Sequence, residues 1–254
     1  MRPSAPLAVL VIVAASGIGA CGGDDNGAGS SPSGSSASTL PERDEQVELD
    51  PADFTTAIDN PYLPMTPGDR RVYRVTDAEG GRERAVATVT DGTKRIANGI
   101  TARVVHTEVS EGGEPIEDNH AWYAQDGAGN VWYLGERGRE LANGRVESTK
   151  GSWEAGVDGA QPGVIMPARP AVGLEYRHEH YAGVAEDRAE VFSLGERAGV
   201  PAGRFRDVVM IKETEGIERA LLDYKFYARG VGPVLGIEVS AGSGREELVT
   251  YTPG

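Results

Sequence analysis

From Arg70 to the C-terminus, apolar and polar positions alternate in short runs rich in Val, Ile, Tyr, Phe and Thr. A period of two places alternate side chains on opposite faces of a strand. Arg71–Val75, Arg84–Thr90, Thr101–Val109, His120–Gln125 and Val131–Leu134 form the first group of runs. Leu174–Tyr181, Ala185–Leu194, Phe205–Glu213, Ala220–Tyr227, Val234–Val239 and Glu246–Tyr251 form the second. Gly, Asp and Asn clusters separate them, as at Asp77–Gly81, Asp91-Gly92, Asn98-Gly99 and Gly112-Gly113, and these are turn residues. Sustained helical periodicity is missing. Only Pro51–Ile58, with Asp50 as N-cap and Pro51 at the first helical position, predicts a short helix. The expected fold is mainly β: a single antiparallel sheet of about ten strands, curled into an open or partly closed, half-barrel-like barrel.

The N-terminus has a different pattern. Met1-Arg2 precedes an apolar run, Pro6–Ala15, which is short for a membrane span but has the length of a signal-peptide core. It ends in Ile18-Gly19-Ala20-Cys21, which resembles the lipobox of bacterial lipoproteins. The resemblance implies cleavage between Ala20 and Cys21, with diacylglyceryl on the Cys21 thiol and palmitate among the acyl chains. The acyl chains would be the route to the membrane. Gly22 to Ser38 is almost devoid of apolar residues, and Leu40 to Asp50 is acidic, so residues 21–50 are expected to form a tether. The domain reading is therefore signal peptide 1–20, lipidated tether 21–50, and one β-rich domain 51–254.

Composition narrows the partners. Hydrophobic residues are 39% and charged residues 25% of 254, an ordinary globular balance. The formal net charge of −14 disfavours nucleic acid, which is not an expected partner. Cys21 is the lone cysteine, so neither an internal disulfide nor a Cys-based zinc site can form.

Three long motifs carry a second resemblance: His120-Ala-Trp-Tyr-Ala-Gln-Asp-Gly-Ala-Gly-Asn-Val-Trp-Tyr-Leu-Gly-Glu136, Gly151-Ser-Trp-Glu-Ala-Gly-Val-Asp-Gly-Ala-Gln-Pro-Gly163 and Tyr176-Arg-His-Glu-His-Tyr-Ala-Gly-Val-Ala-Glu-Asp-Arg-Ala-Glu-Val191. Together they resemble a family of exported bacterial proteins, from about Asp59 onward, and the resemblance brings no catalytic residues. More weakly, Val200–Val209 and Phe226–Val234 are similar to a pair recurring in exported antiparallel-sheet proteins. That class includes LolA-like and LppX/LprG-like half-barrels, some of which carry lipid in the concave face. The analogy is at the level of fold.

Candidate sites follow from residue chemistry. The Gly- and Pro-rich stretch Trp153–Pro170 also holds large apolar side chains, so it is expected as a long loop. It would either plug the barrel core or line a pocket with Trp153, Glu154, Asp158 and Met166. His178 and His180, two apart on one strand face, with Glu186 and Asp187 across a turn, are the candidate metal ligands. His106 and His120 read as isolated surface histidines. Asp126–Asn130 reads as a hairpin turn rather than half a calcium loop, because further carboxylates are missing. No nucleophile elbow, phosphate loop or HExxH motif occurs, so no catalytic residue and no cofactor is assigned. The expected function is binding or scaffolding at the cell envelope, with a lipid, a small molecule or an envelope protein as partner. The alternative is a hydrolase or metal-dependent enzyme built on His178, His180 and the nearby carboxylates.

Overall fold

Antiparallel pairing organises nearly every described element. The computed structural model describes residues 40–77, 80–216, 222–239 and 244–254. Cys21, Ala20 and the signal peptide therefore lie outside the described residues. The strands are β1 (Phe54–Thr55), β2 (Arg70–Thr76), β3 (Arg82–Arg95), β4 (Thr101–Glu111), β5 (Glu114–Asp126), β6 (Val131–Ala142), β7 (Arg145–Ser148) and β8 (Trp153–Glu154). They continue as β9 (Gln161–Met166), β10 (Glu175–Arg177), β11 (Glu179–His180), β12 (Asp187–Val200), β13 (Gly203–Glu215), β14 (Leu222–Ala228), β15 (Gly232–Glu238) and β16 (Arg245–Thr252). One 16-stranded sheet runs β10-β12-β13-β14-β15-β16-β2-β3-β4-β5-β6-β9-β11, with β1 added to β5 and β7 and β8 added to β6.

The two ends of that order, β10 and β11, are consecutive in the chain and separated only by His178. The sheet therefore curls until its edges meet at one seam, which leaves little unpaired edge. His178 N donates to Asp187 O on one side (2.8 Å), and Glu179 pairs with Pro162 on the other. Gly163 makes the close approach possible: a Cβ there would run into the carbonyl oxygens of Arg177 and His178.

The expected barrel class is observed, with sixteen strands instead of about ten. The single run expected at 174–181 is split at His178, where the chain crosses the seam. The Trp153–Pro170 segment is not a free loop. It supplies β8 and β9, wall strands whose partner, β6, is distant enough in sequence that no local hairpin signal marks them. The expected helix at 51–58 is one 3-10 turn, Pro51–Asp53, capped as foreseen by Asp50 Oδ1 accepting from Ala52 N (2.9 Å). Phe54-Thr55 then pairs with β5, which ends the turn. Asp126 closes its hairpin by accepting from Ala128 N, Asn130 N and the Trp132 indole, so its carboxylate is committed to the turn.

Residues 40–50, placed in the tether from their composition, dock on the barrel. Leu40, Val47 and Leu49 pack against the main core cluster. Pro41 O accepts from Arg177 N, and the buried Arg177 guanidinium donates to the carbonyls of Arg43, Glu45 and Pro162. The segment latches the seam from outside. Farther round the sheet, the β12–β13 hairpin bends through several bulges onto β16, where Ala202 N donates to Leu248 O (3.0 Å). Ala198 and Val208 of that hairpin pack with Phe226, Leu235 and Leu248 in a second cluster.

Candidate functional site

Strand alternation decides which side chains enter the barrel. Along β14, Asp223, Lys225 and Tyr227 share a face; along β5, Glu117, Asn119 and Ala121 do. Lys225, Tyr227, Tyr123 and Ala121 line a cavity of about 70 Å³. Such a space holds on the order of five waters. Its walls are apolar, with Leu63, Met65, Ala85, Val105 and Ile165, and its polar groups include Lys225, Glu246, Arg71 and Tyr73. Most of the polar groups are held in place. Arg71 donates to Val231 O (2.7 Å) and Pro64 O (2.9 Å), Tyr73 OH donates to Pro233 O (3.1 Å), and Lys225 Nζ lies 2.5 Å from Glu213 Oε2.

Farther along the same inner face, small and apolar residues give way to carboxylates. Glu83 faces Glu111 across β3–β4, Glu213 faces Asp223, Asp223 faces Glu238, and Asp187 faces Glu215. Like charges directly opposite one another destabilise a sheet, so this end of the barrel is electrostatically strained when ionised. Burial is the main cause of the shifts here, and neighbouring carboxylates add to it. Glu117 is pushed up to about 7, Glu136 and Asp187 to about 8, and Asp223 to about 6. Glu179 is driven well above the carboxylate range by burial, then by Asp187 and Glu136. Lys225 is the cation set among them. Burial opposes its charge, but Glu213 and Asp223 outweigh that and raise its pKa.

The seam supplies the deepest polar groups. Tyr176, Arg177, His178 and Glu179 are each at most 1% exposed. Neither ring nitrogen of His178 has a hydrogen-bond partner, and its Nδ1 lies 3.8 Å from Glu213 Oε1. Burial, with Lys225 close by, holds His178 well below its usual pKa, so the ring is neutral. Above it, Trp153 meets Tyr133 edge-on (5.3 Å between ring centroids), and Tyr133 stacks on Tyr123 (5.2 Å). Glu136 accepts from Asn119 Nδ2 at 2.5 Å. Chemically, this interior offers an apolar slot with a few fixed polar groups on its lining, and beyond it carboxyls whose burial favours the protonated form.

The candidates from the sequence are dispersed. Trp153 and Met166 are buried in the wall core, whereas Glu154 is tied on its rim to Lys94 (2.9 Å) and to Ala97 N (2.8 Å). Asp158 is exposed in a turn at φ 50°. None of the four lines the cavity. His178 faces Glu213, His180 pairs in register with Gln161, and Glu186 accepts from Gly183 N (2.8 Å). No three of His178, His180, Glu186 and Asp187 bring donor atoms together. Among the described residues, the set that does is His106, Asp118 and His120. Tyr123 and Glu136 fall within the His120–Glu136 motif, which assigned them no role, and Lys225 and Glu213, outside any motif, carried one signal in the sequence: the same strand parity as apolar neighbours.

The fold and interior define a single-sheet antiparallel barrel with a solvent-reachable, polar-backed chamber. No protein-family model matches the chain, and no curated protein matches it. Among solved structures, the chain is similar to a proposed exported protein with YmcC-like fold from Bacteroides fragilis, at TM-score 0.45 and 14% identity, covering 76% of this chain and 99% of that one. It is also similar to a proposed lipoprotein from Parabacteroides distasonis, at TM-score 0.43 and 11% identity, covering 75% and 98%. Neither likeness assigns a residue role here.

Proposed function

We propose that this protein is a lipid-anchored, extracytoplasmic binding module whose barrel takes the apolar end of a small amphipathic molecule. The lipobox-like Ile18–Cys21 supports the anchor and the placement. One structural observation carries the binding: an apolar-walled cavity with Lys225, Glu246, Arg71 and tyrosines among its lining. Apolar walls with a few placed polar groups are what small-molecule sites consist of. The size of the cavity favours one aromatic ring or a short acyl segment over a whole two-chain lipid. The polar groups then orient the other end of the ligand. His178 faces a carboxylate and the backbone of the seam, and the apolar lining with a few fixed polar groups supports binding as the reading.

The test uses 4-methylphenol, a single-ring amphipath that matches the size of the cavity, titrated calorimetrically into the folded protein. Saturable binding at one site per chain is expected. Ala121→Trp fills the cavity from β5, and Ala87→Leu narrows it from β3. Either variant should weaken the probe while leaving the circular dichroism spectrum unchanged. Absence of saturable binding, or binding indifferent to both variants, would remove the proposal.

A further inference from the structure

The outer wall carries a second arrangement, remote from the chamber because its residues have the opposite strand parity. His106 on β4 and His120 on β5 are direct cross-strand partners. Asp118, two residues before His120, therefore lies on the same outer face, one position along. The sheet register places the three side chains, and no loop is involved. The imidazoles lie 4.5 Å apart between ring centroids, tilted by 30°. His106 Nε2 is 2.6 Å from Asp118 Oδ1, and His120 Nδ1 is 3.9 Å from the same oxygen. His120 Nδ1 is buried with no hydrogen-bond partner. The side chains are 34%, 24% and 30% exposed for His106, Asp118 and His120, so an ion can reach them and they can adjust.

We infer that His106, Asp118 and His120 form a binding site for a divalent transition ion of the Zn²⁺ class. Two imidazoles and one carboxylate are ligands suited to such an ion. Metal–ligand bonds of 2.0–2.1 Å in tetrahedral geometry place ligand atoms about 3.3 Å apart. The observed separations of 2.6 and 3.9 Å bracket that distance, and a small side-chain rotation of half-exposed groups converts one arrangement to the other. The fourth position faces solvent, and exposed Glu108, opposite Asp118 in register, is placed to approach it. Two arginines set the limit on affinity: Arg139 Nη1 is 3.7 Å from Asp118 Oδ2, and Arg137 is the cross-strand partner of His120.

The experiment is isothermal titration of Zn²⁺ into the full chain, without a histidine tag and carrying Cys21→Ser so that no thiol competes. A parallel Co²⁺ titration is followed by visible absorption. One ion per chain and a Co²⁺ ligand-field band are expected. His106→Gln and His120→Gln should each weaken Zn²⁺ by more than about tenfold while the metal-free melting temperature stays close to that of the parent. His178→Gln should leave Zn²⁺ binding intact; if that variant unfolds, His180→Gln makes the same comparison. Failure to saturate, or saturation unchanged by both His106→Gln and His120→Gln, would overturn the site. The trio would then be an ordinary His–Asp ion pair on the barrel wall.

Discussion

Replacing Glu136 by Gln tests whether the barrel interior is held together against its own charge. Glu136 is 2% exposed, and burial pushes it from the ordinary 4.5 up to about 8. Because its pKa in the folded state lies above that in the unfolded state, the folded chain holds the proton more tightly. Stability associated with the group therefore falls as pH rises from about 4.5 to about 8, and is flat above. At about 1.4 kcal/mol per unit of pKa, the shift sets an upper bound of roughly 4 kcal/mol on the change between pH 5 and pH 8. Relaxation of the interior and partial entry of water reduce that to about 2 kcal/mol. Glutamine keeps the shape and retains an oxygen for the Asn119 Nδ2 hydrogen bond, but has no charge to form. Glu136→Gln should thus match the wild type within about 0.5 kcal/mol at pH 5 and exceed it by about 2 kcal/mol at pH 8. Urea unfolding followed by tryptophan fluorescence at both pH values measures the difference. A variant less stable than wild type at pH 8, or a difference independent of pH, would refute the reasoning.

Arg177→Ala should destabilise by about 3–5 kcal/mol, the range for breaking a buried, fully bonded charged group. The denaturant midpoint would show it, and a cost below about 1 kcal/mol would mean the seam closes without the guanidinium. A chain beginning at Pro51 should lose stability for the same reason, because it lacks the Pro41, Arg43 and Glu45 carbonyls that Arg177 engages. An unchanged melting temperature would show that the latch contributes nothing. Cys21→Ala should release the protein from membranes or leave it unprocessed; membrane retention and gel mobility like the wild type would contradict lipid anchoring.

Much of the barrel was legible because its walls are built from local hairpins. Asp126–Asn130 and Asn98-Gly99 announce their turns, and runs such as Arg84–Thr90 alternate cleanly. The β8 and β9 strands were not legible. Pro162 and Gly163 look like loop residues, and only pairing with β6 and the seam makes them wall, whereas Gly156 and Gly159 do lie in the turn between β8 and β9. The chamber was hidden for a related reason. Alternation is normally read as apolar inside and polar outside, whereas here Glu213 and Lys225 share the inward face with Ile211 and Tyr227. Charged residues on that parity look like solvent-facing ones until the sheet closes. His106 and His120 stood fourteen residues apart with no spacing motif, and the β4–β5 register alone brings them together. In the reverse direction, the shared face expected for His178 and His180 did not survive, because the chain crosses the seam at His178 and buries that ring while His180 stays partly exposed.

Native mass spectrometry of the protein extracted from its own membrane, released gently from detergent, tests the binding reading most directly. The account predicts an added mass beyond the lipidated chain, present in the wild type at up to one per chain and lost or sharply reduced in Ala121→Trp. A wild-type protein that carries no adduct, and also fails to take up small amphipaths supplied in excess, would contradict a ligand chamber and leave the barrel as a scaffold.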